Sequence, residues 1–268
     1  MRGYTLVTGA CGGLGGAFVR LLAERGEPLF LTGRSLERLQ TLRAELRGKY
    51  PSLPVHIFEC DLTSEASRAA LFSRFDEENI TFARLVYVAG ADVQKAFEKY
   101  GEDKLVMQTR VNFEGAVSLT RAVMARSALD GSTEFLAVGS MSGNCPMPYF
   151  ALYSATKKAL WQFYVALRTE LKGRAKVTCV TPGSIPTRED ICRNIKDHGF
   201  WTRVSAVSPE RVARASLNAV KRNRRKKTIG FWNGVIRFFT ALAPMSIKLR
   251  FVARRWKKTE KDAFKNAE

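Results

Sequence analysis

The sequence predicts a doubly wound α/β domain, a parallel sheet held between two layers of helices. Short apolar runs of strand character alternate with helix-like stretches from the first residues onward, the pattern of a parallel sheet covered on both faces. The first of these runs leads directly into a turn crowded with glycine, which in turn opens a helix. At 268 residues, 46% hydrophobic and 26% charged, the chain has the size and composition of one large globular domain.

Taken in order, the strands are expected at residues 4–8, 28–32, 55–60, 85–88, 134–138 and 176–180, where β-branched and aromatic residues cluster between turn signals. Helices are expected in the intervals. One begins after Ser35, where leucines at 36, 39, 42 and 46 are spaced to form a single buried stripe and Lys and Arg fill the other face. Another begins at Ser208-Pro209, a capping residue followed by a first-turn proline. The domain is expected over residues 1–220, with 221–268 as a basic and apolar C-terminal extension.

The five cysteines, Cys11, Cys60, Cys145, Cys179 and Cys192, are scattered and odd in number, with no CxxC pair. That fits neither a disulfide framework nor a zinc site, so no metal is expected and a reducing, cytoplasmic compartment fits best. The start goes from one arginine into the first strand, so no cleavable signal is expected. The net charge of +19 is concentrated near the end, where residues 221–268 hold 15 Lys or Arg against 3 acids. The two histidines, His56 and His198, fall in an expected strand and an expected loop, and read as structural positions.

The turn after the first strand reads Thr8-Gly9-Ala10-Cys11-Gly12-Gly13-Leu14-Gly15-Gly16. Glycines let the backbone turn tightly and approach a pyrophosphate, whose charge is met by free amides and the positive end of the following helix. This is the dinucleotide end of a Rossmann fold, with Gly9, Cys11, Gly13, Leu14 and Gly15 as candidate cofactor contacts. After the second strand, where an acid would bind a ribose hydroxyl of NAD, the chain reads Thr32-Gly33-Arg34-Ser35. Arg34 and Ser35 suit a 2′-phosphate instead, so NADP(H) is the expected cofactor; the plainer reading of Arg34 is a solvated arginine. Asp61 and Leu62 either border the adenine or, with Thr63, belong to a helix cap.

The fifth strand runs into Gly139-Ser140-Met141-Ser142-Gly143, and Tyr153 and Lys157 follow at i and i+4. On a helix that spacing puts both side chains on one face, where an ammonium favours a phenolate and lowers a pKa that starts near 10.

In these residues the chain resembles the short-chain dehydrogenase/reductase superfamily, in its single-domain form. The resemblance covers residues 4 to about 190 and rests on TGxxxGxG at Thr8 to Gly15, Asp61-Leu62, Ala89-Gly90, Val111-Asn112, Ser140, the YxxxK at 153 and 157, and Pro182-Gly183 followed by Thr187. It implies that Tyr153 donates a proton to a carbonyl oxygen as hydride arrives from nicotinamide, and that Ser140 hydrogen-bonds that oxygen. It further implies that Lys157 binds the nicotinamide ribose and tunes Tyr153, that Asn112 holds a water in the proton path, and that Pro182, Gly183 and Thr187 cover the nicotinamide. Relatives of this form are usually dimers or tetramers, so a homodimer or homotetramer is expected.

The sequence departs from the family where NNAG is expected and Tyr87-Val88-Ala89-Gly90 stands. Two polar side chains that help hold the central strands are missing, which bears on local geometry more than on chemistry. Gly9, Gly12 and Gly15 also satisfy TGxxGxxG, the pattern of the longer sugar-nucleotide epimerases; chain length, Asn112 and the spacing from Ser140 to Tyr153 oppose that reading.

Residues 183–207 have no clean period and are expected to form a lid over the substrate, with Phe200 and Trp201 either lining a pocket or in the core. In the extension, charge brackets the apolar stretch Phe231 to Ile247, interrupted by Asn233, Gly234, Arg237 and Pro244. It is too short and broken for a confident transmembrane helix. It suits a segment lying peripherally in the headgroup layer of an anionic membrane, or one packed on the domain or a second subunit that helps close the active site. A nucleic-acid footprint ranks below both, since no recognised binding motif accompanies the basic runs.

The reading is therefore an NADP(H)-dependent enzyme interconverting a ketone and a secondary alcohol, with a hydrophobic substrate such as a 3-ketoacyl, ketosphingoid or steroid compound. Its rival is a non-catalytic NADP(H)-binding sensor or docking protein that uses the basic tail.

Overall fold

A computed structural model describes residues 3–187 and 204–257. All described strands join one parallel sheet in the order β3-β2-β1-β4-β5-β6-β7. They are β1 (Tyr4–Thr8), β2 (Leu29–Gly33), β3 (Val55–Glu59), β4 (Phe82–Tyr87), β5 (Glu134–Val138), β6 (Lys176–Pro182) and β7 (Lys226–Ile229). The order reverses at β1, with β2 and β4 on either side, so the crevice at the carboxyl ends of β1 and β4 is the topological switch point where such sheets bind ligands.

The six expected strands are all present, β4 beginning earlier and β6 ending later than their apolar runs indicate. The seventh was hidden. Lys226–Ile229 lies in the basic run assigned above to the extension, and it pairs with Cys179 to Pro182 at the sheet edge. The sheet therefore continues past residue 220. Lysines suit an edge strand, because their charge opposes pairing with another chain, and for the same reason they conceal the strand from hydropathy.

Neighbouring residues of the central strands serve opposite faces, which is why both must be apolar. Val7, Val86 and Leu136 pack beneath α1 (Gly13–Ala23), α2 (Leu36–Lys49) and a later helix, Pro209–Lys221. Leu6, Leu85 and Phe135 pack on the other face against α3 (Glu65–Glu77), Leu119 and Val123 of α5 (Gly115–Met124), and Leu160 and Tyr164 of α6 (Ala151–Glu170). Between α3 and α5 lie α4 (Glu102–Thr109) and a π-helical turn, Arg110–Glu114.

The expected caps are realised. Ser35 Oγ accepts from Arg38 N at the start of α2, and Ser208 Oγ accepts from Arg211 N at the start of Pro209–Lys221, called α7 hereafter. The leucine stripe of α2 is shorter than its spacing indicates: Leu39 and Leu46 are buried, whereas Leu36, in the first turn, is exposed. His56 is a sheet residue, held between the Tyr4 hydroxyl and Glu78. His198, Cys192, Phe200, Trp201 and most of the expected lid lie outside the described residues.

The apolar stretch of the extension forms two helices, α8 (Phe231–Leu242) and α9 (Met245–Trp256), separated at Ala243-Pro244. Among the described residues no helix is long and apolar enough to cross a membrane. Asn233, which reads from sequence as an interruption, is an anchor: it is buried, and its Nδ2 donates to Ser205 O at 3.0 Å and Ile229 O at 2.7 Å. It lies so close to Gly183 and Gly230 that a Cβ on either would stand within 2.7 Å of its amide. The start of α8 is thereby fastened to the end of β7 and to Ser205, and packs against Gly183 just after β6.

Candidate active site

Four strand ends converge on the switch point. Gly9 follows β1, Gly90 follows β4, Ser140 follows β5, and Pro182-Gly183 closes β6. Gly90, Ser140, Pro182 and Gly183 border a cavity of about 840 Å³, lined also by Leu14 of the glycine turn, Tyr153, Lys157 and Thr187.

The glycine turn is shaped for close approach. Gly9 has φ +61°, a left-handed conformation suited to glycine. A Cβ on Gly15 would stand 2.0 Å from Gly9 O, and one on Gly13 would stand 2.8 Å from Thr187 Cβ, so the turn and the end of β6 are in contact. Helix α1 begins at Gly12 with no side-chain cap, leaving first-turn amides for an anion. Side chains at Gly13 and Gly15 would clash with Thr187 and with the turn itself, so glycine keeps the turn tight, and the uncapped first-turn amides fit a dinucleotide pyrophosphate.

Arg34 is exposed at the end of β2, beside the cap residue Ser35. A second cation joins it that sequence reasoning did not single out: Arg38 Nη2 donates to Cys11 O at 2.8 Å, placing a guanidinium from α2 on the glycine turn. Only the pairing of Ser35 as cap with the first turn of α2 could have brought Arg38 forward. Asp61 is not the helix cap weighed above: its Oδ1 accepts from both the amide and the hydroxyl of Thr63 at 2.9 Å in the turn before α3, and Ser64 caps α3 by accepting from Ser67 N. The Leu62 side chain is buried in the core.

The missing asparagines have substitutes. Thr8 Oγ1 accepts from Val88 N and Ala89 N, both at 3.0 Å, and so ties the end of β1 to the exit of β4. Asn112 lies in the π turn, is fully buried, and clamps the backbone of Ala91: Oδ1 accepts from Ala91 N at 2.8 Å and Nδ2 donates to Ala91 O at 2.9 Å. Its second amide hydrogen goes to Thr156 Oγ1 on α6. π turns recur at functional sites because they re-aim a side chain without ending the helix.

Tyr153 and Lys157 both reach the cavity from α6, as their spacing requires. The Tyr153 ring stacks on Phe150 with centroids 4.3 Å apart, and Lys157 Nζ lies 5.8 Å from its centre. Lys157 is only 4% exposed, and Nζ donates to Val138 O at 3.1 Å. A Cβ on Gly90 would stand 3.1 Å from both Lys157 Nζ and Asn112 Oδ1, so glycine there admits both groups. Ser140 Oγ accepts from Ser142 N at 3.1 Å, which leaves its hydroxyl proton for donation.

Burial pushes the Lys157 ammonium down to about 8, with Cys179 and Asp92 acting in the opposite sense. It remains mostly cationic at neutral pH. Because the folded value lies below the ordinary 10.5, the unfolded chain binds more protons between these values, and stability rises with pH across that window. Lys157→Met removes the effect. The melting temperature of Lys157→Met relative to wild type, measured without cofactor, should be steady below pH 8 and fall between about pH 8 and 10.5, by the equivalent of roughly 3 kcal/mol. Parallel melting curves would contradict a buried ammonium.

The far wall of the cavity comes from the extension: Trp232, Ile236 and Phe239 of α8, and Phe251 and Trp256 of α9. Within the apolar stretch Phe231 to Ile247, Trp232, Ile236 and Phe239 thus line the cavity. Gln94 also lines the cavity. It is 4% exposed, and its Nε2 has no hydrogen-bond partner among the described residues. A buried, unpaired donor is costly. Nothing in the local sequence distinguishes it from a surface glutamine. Among the described residues no His, Cys, Asp and Glu cluster could hold a metal.

The sequence profile of the short chain dehydrogenases matches residues 4–197. The chain is 31% identical over 222 residues to the sulfoacetaldehyde reductase of Chromohalobacter salexigens, covering 80% of this chain and 86% of that protein. It is 30% identical over 220 residues to the NADP-dependent 3-hydroxy acid dehydrogenase YdfG of Escherichia coli K12, covering 78% and 86%. A solved 7β-hydroxysteroid dehydrogenase shares the fold with a TM-score of 0.83 at 21% identity, covering 94% of this chain and 96% of its own.

Proposed function

The chain belongs to the short-chain dehydrogenase family of oxidoreductases, and from that premise we propose that it is an NADP(H)-dependent reductase of a hydrophobic ketone, or an oxidant of the corresponding alcohol. The observation that carries the reading is the meeting of Ser140, Tyr153 and Lys157 in one cleft that Leu14 of the glycine turn also lines.

When bound, NADPH supplies the hydride that reduces the carbonyl carbon. The chain does the rest. Ser140 donates its hydroxyl hydrogen to the carbonyl oxygen, and Tyr153 gives that oxygen its phenolic proton as charge develops on it. The Lys157 cation lowers the cost of the phenolate left behind and binds the nicotinamide ribose. Asn112 acts as a positioning residue, since its amide is committed to Ala91 and Thr156. The water expected beside it in the proton path would have to use what Oδ1 or the backbone carbonyl leaves open. Arg34 and Arg38 would hold the 2′-phosphate, and Pro182, Gly183 and Thr187 would border the nicotinamide.

The apolar far wall supports a hydrophobic substrate of acyl, sphingoid or steroid type. The relative in E. coli is NADP-dependent by name, which supports the cofactor. Gln94 supplies a donor for one acceptor oxygen on an otherwise apolar substrate. Gln94→Leu should raise KM about tenfold for a substrate bearing that oxygen and leave kcat nearly unchanged; equal KM values would remove Gln94 from the substrate site.

The test is NADPH oxidation by the full chain over long-chain and steroidal ketones, with short polar ketones for contrast. Turnover is expected with apolar members. Saturable NADPH binding with no turnover on any ketone would favour the sensor reading instead. Assembly as a dimer or tetramer is part of the proposal, and light scattering in solution decides it.

A further inference from the structure

Beyond the wall they lend to the cleft, α8 and α9 expose apolar side chains that the domain does not cover. Phe231, Phe238 and Leu242 are 76%, 62% and 68% exposed. Their spacing of i, i+7 and i+11 puts them on one stripe of α8. Ile247 and Phe251 of α9 are likewise exposed. A stable monomer has little reason to hold five large apolar groups in water on two adjacent short helices.

The charge on these helices is of one sign. Residues 231–257 contain six Lys or Arg and no Asp or Glu. Arg250, Arg254 and Lys257 are exposed beside Phe251. Aromatic and aliphatic side chains set among cations, on helices too short to span a bilayer, match an anionic lipid surface: the apolar groups enter the acyl boundary and the cations meet headgroup phosphates. Trp232 and Trp256 sit at the junction, each an amphipathic ring suited to the headgroup level. Phe239 and Phe251 are both exposed and part of the cavity lining. The cleft therefore opens at the surface that bears the apolar stripe.

We propose that α8 and α9 rest on an anionic lipid surface and that the catalytic cleft is loaded from it. The loading clause rests on the reductase reading; the docking does not, and its test needs no turnover.

The experiment is co-sedimentation of the full chain with phosphatidylglycerol-containing vesicles and with phosphatidylcholine vesicles, at low and high salt. The wild-type chain should pellet with the anionic vesicles only, with partitioning reduced at least about tenfold by high salt. Phe238→Glu with Leu242→Glu, and separately Arg250→Glu with Arg254→Glu, should each abolish partitioning while circular dichroism and turnover of a water-soluble ketone stay unchanged. Two results would overturn the proposal. One is a wild-type chain that binds anionic vesicles no better than neutral ones, or binds them equally well in both variants. The other is loss of a dimer on gel filtration in the Phe238 and Leu242 variant with no vesicle binding by wild type, which would make a second copy the occupant of this face.

Discussion

Tyr153→Phe is expected to lower turnover about a thousandfold and leave NADPH affinity within a factor of about two. Phenylalanine keeps the stacking on Phe150 and the shape of the cavity wall, where the rings lie 4.3 Å apart, and removes only the proton that the carbonyl oxygen needs. The loss should fall on kcat, because the hydroxyl acts as charge develops rather than in ground-state binding. Stopped-flow measurement of NADPH oxidation, with cofactor titration on the same preparation, separates the two effects. A variant that retained a tenth of wild-type turnover would remove Tyr153 from proton transfer and open the sensor reading.

The second large effect is on cofactor choice. Arg34→Ala combined with Arg38→Ala should weaken NADPH binding roughly 30- to 100-fold while NADH binding changes little, since only NADPH carries the 2′-phosphate that these guanidinium groups are proposed to meet. Each exposed pair contributes modestly, so the two must be removed together for a clear result. Arg38 also donates to Cys11 O, so Arg38→Lys is the companion variant: it keeps the charge and changes the hydrogen-bonding fork. Equal weakening of NADPH and NADH by the double variant would mean that the pair shapes the glycine turn and does not read the phosphate.

Most of the fold was legible because both layers of helices demand apolar strands, and six of the seven strands announce themselves as apolar runs. Lys226–Ile229 did not, since an edge strand can be lysine-rich and its pairing with β6 is set by tertiary contact. The relation of Tyr153 to Lys157 was legible too: at i, i+4 they share a face if the segment is helical, and α6 provides the helix. The substitutes for the absent asparagines were not. Thr8 acts across 80 residues on Val88, and Asn112 across 21 on Ala91, distances in sequence over which local pattern carries no information. Gln94 and Asn233 were missed for a related reason, because a buried amide looks the same as a solvated one until the packing around it is known. The extension was read with two roles left open: Trp232 and Ile236 line the cleft, Phe231, Phe238 and Leu242 stand exposed outside its lining, and Phe239 and Phe251 are both exposed and part of the lining.

The account stands most directly on cofactor binding by the unmodified chain. Isothermal titration with NADPH and with NADH should give a single saturable site per chain and at least about tenfold tighter binding of NADPH. Absence of binding to either nucleotide would contradict the assignment of the glycine turn, and with it the active site built around it. Tighter binding of NADH would contradict the roles given to Arg34 and Arg38.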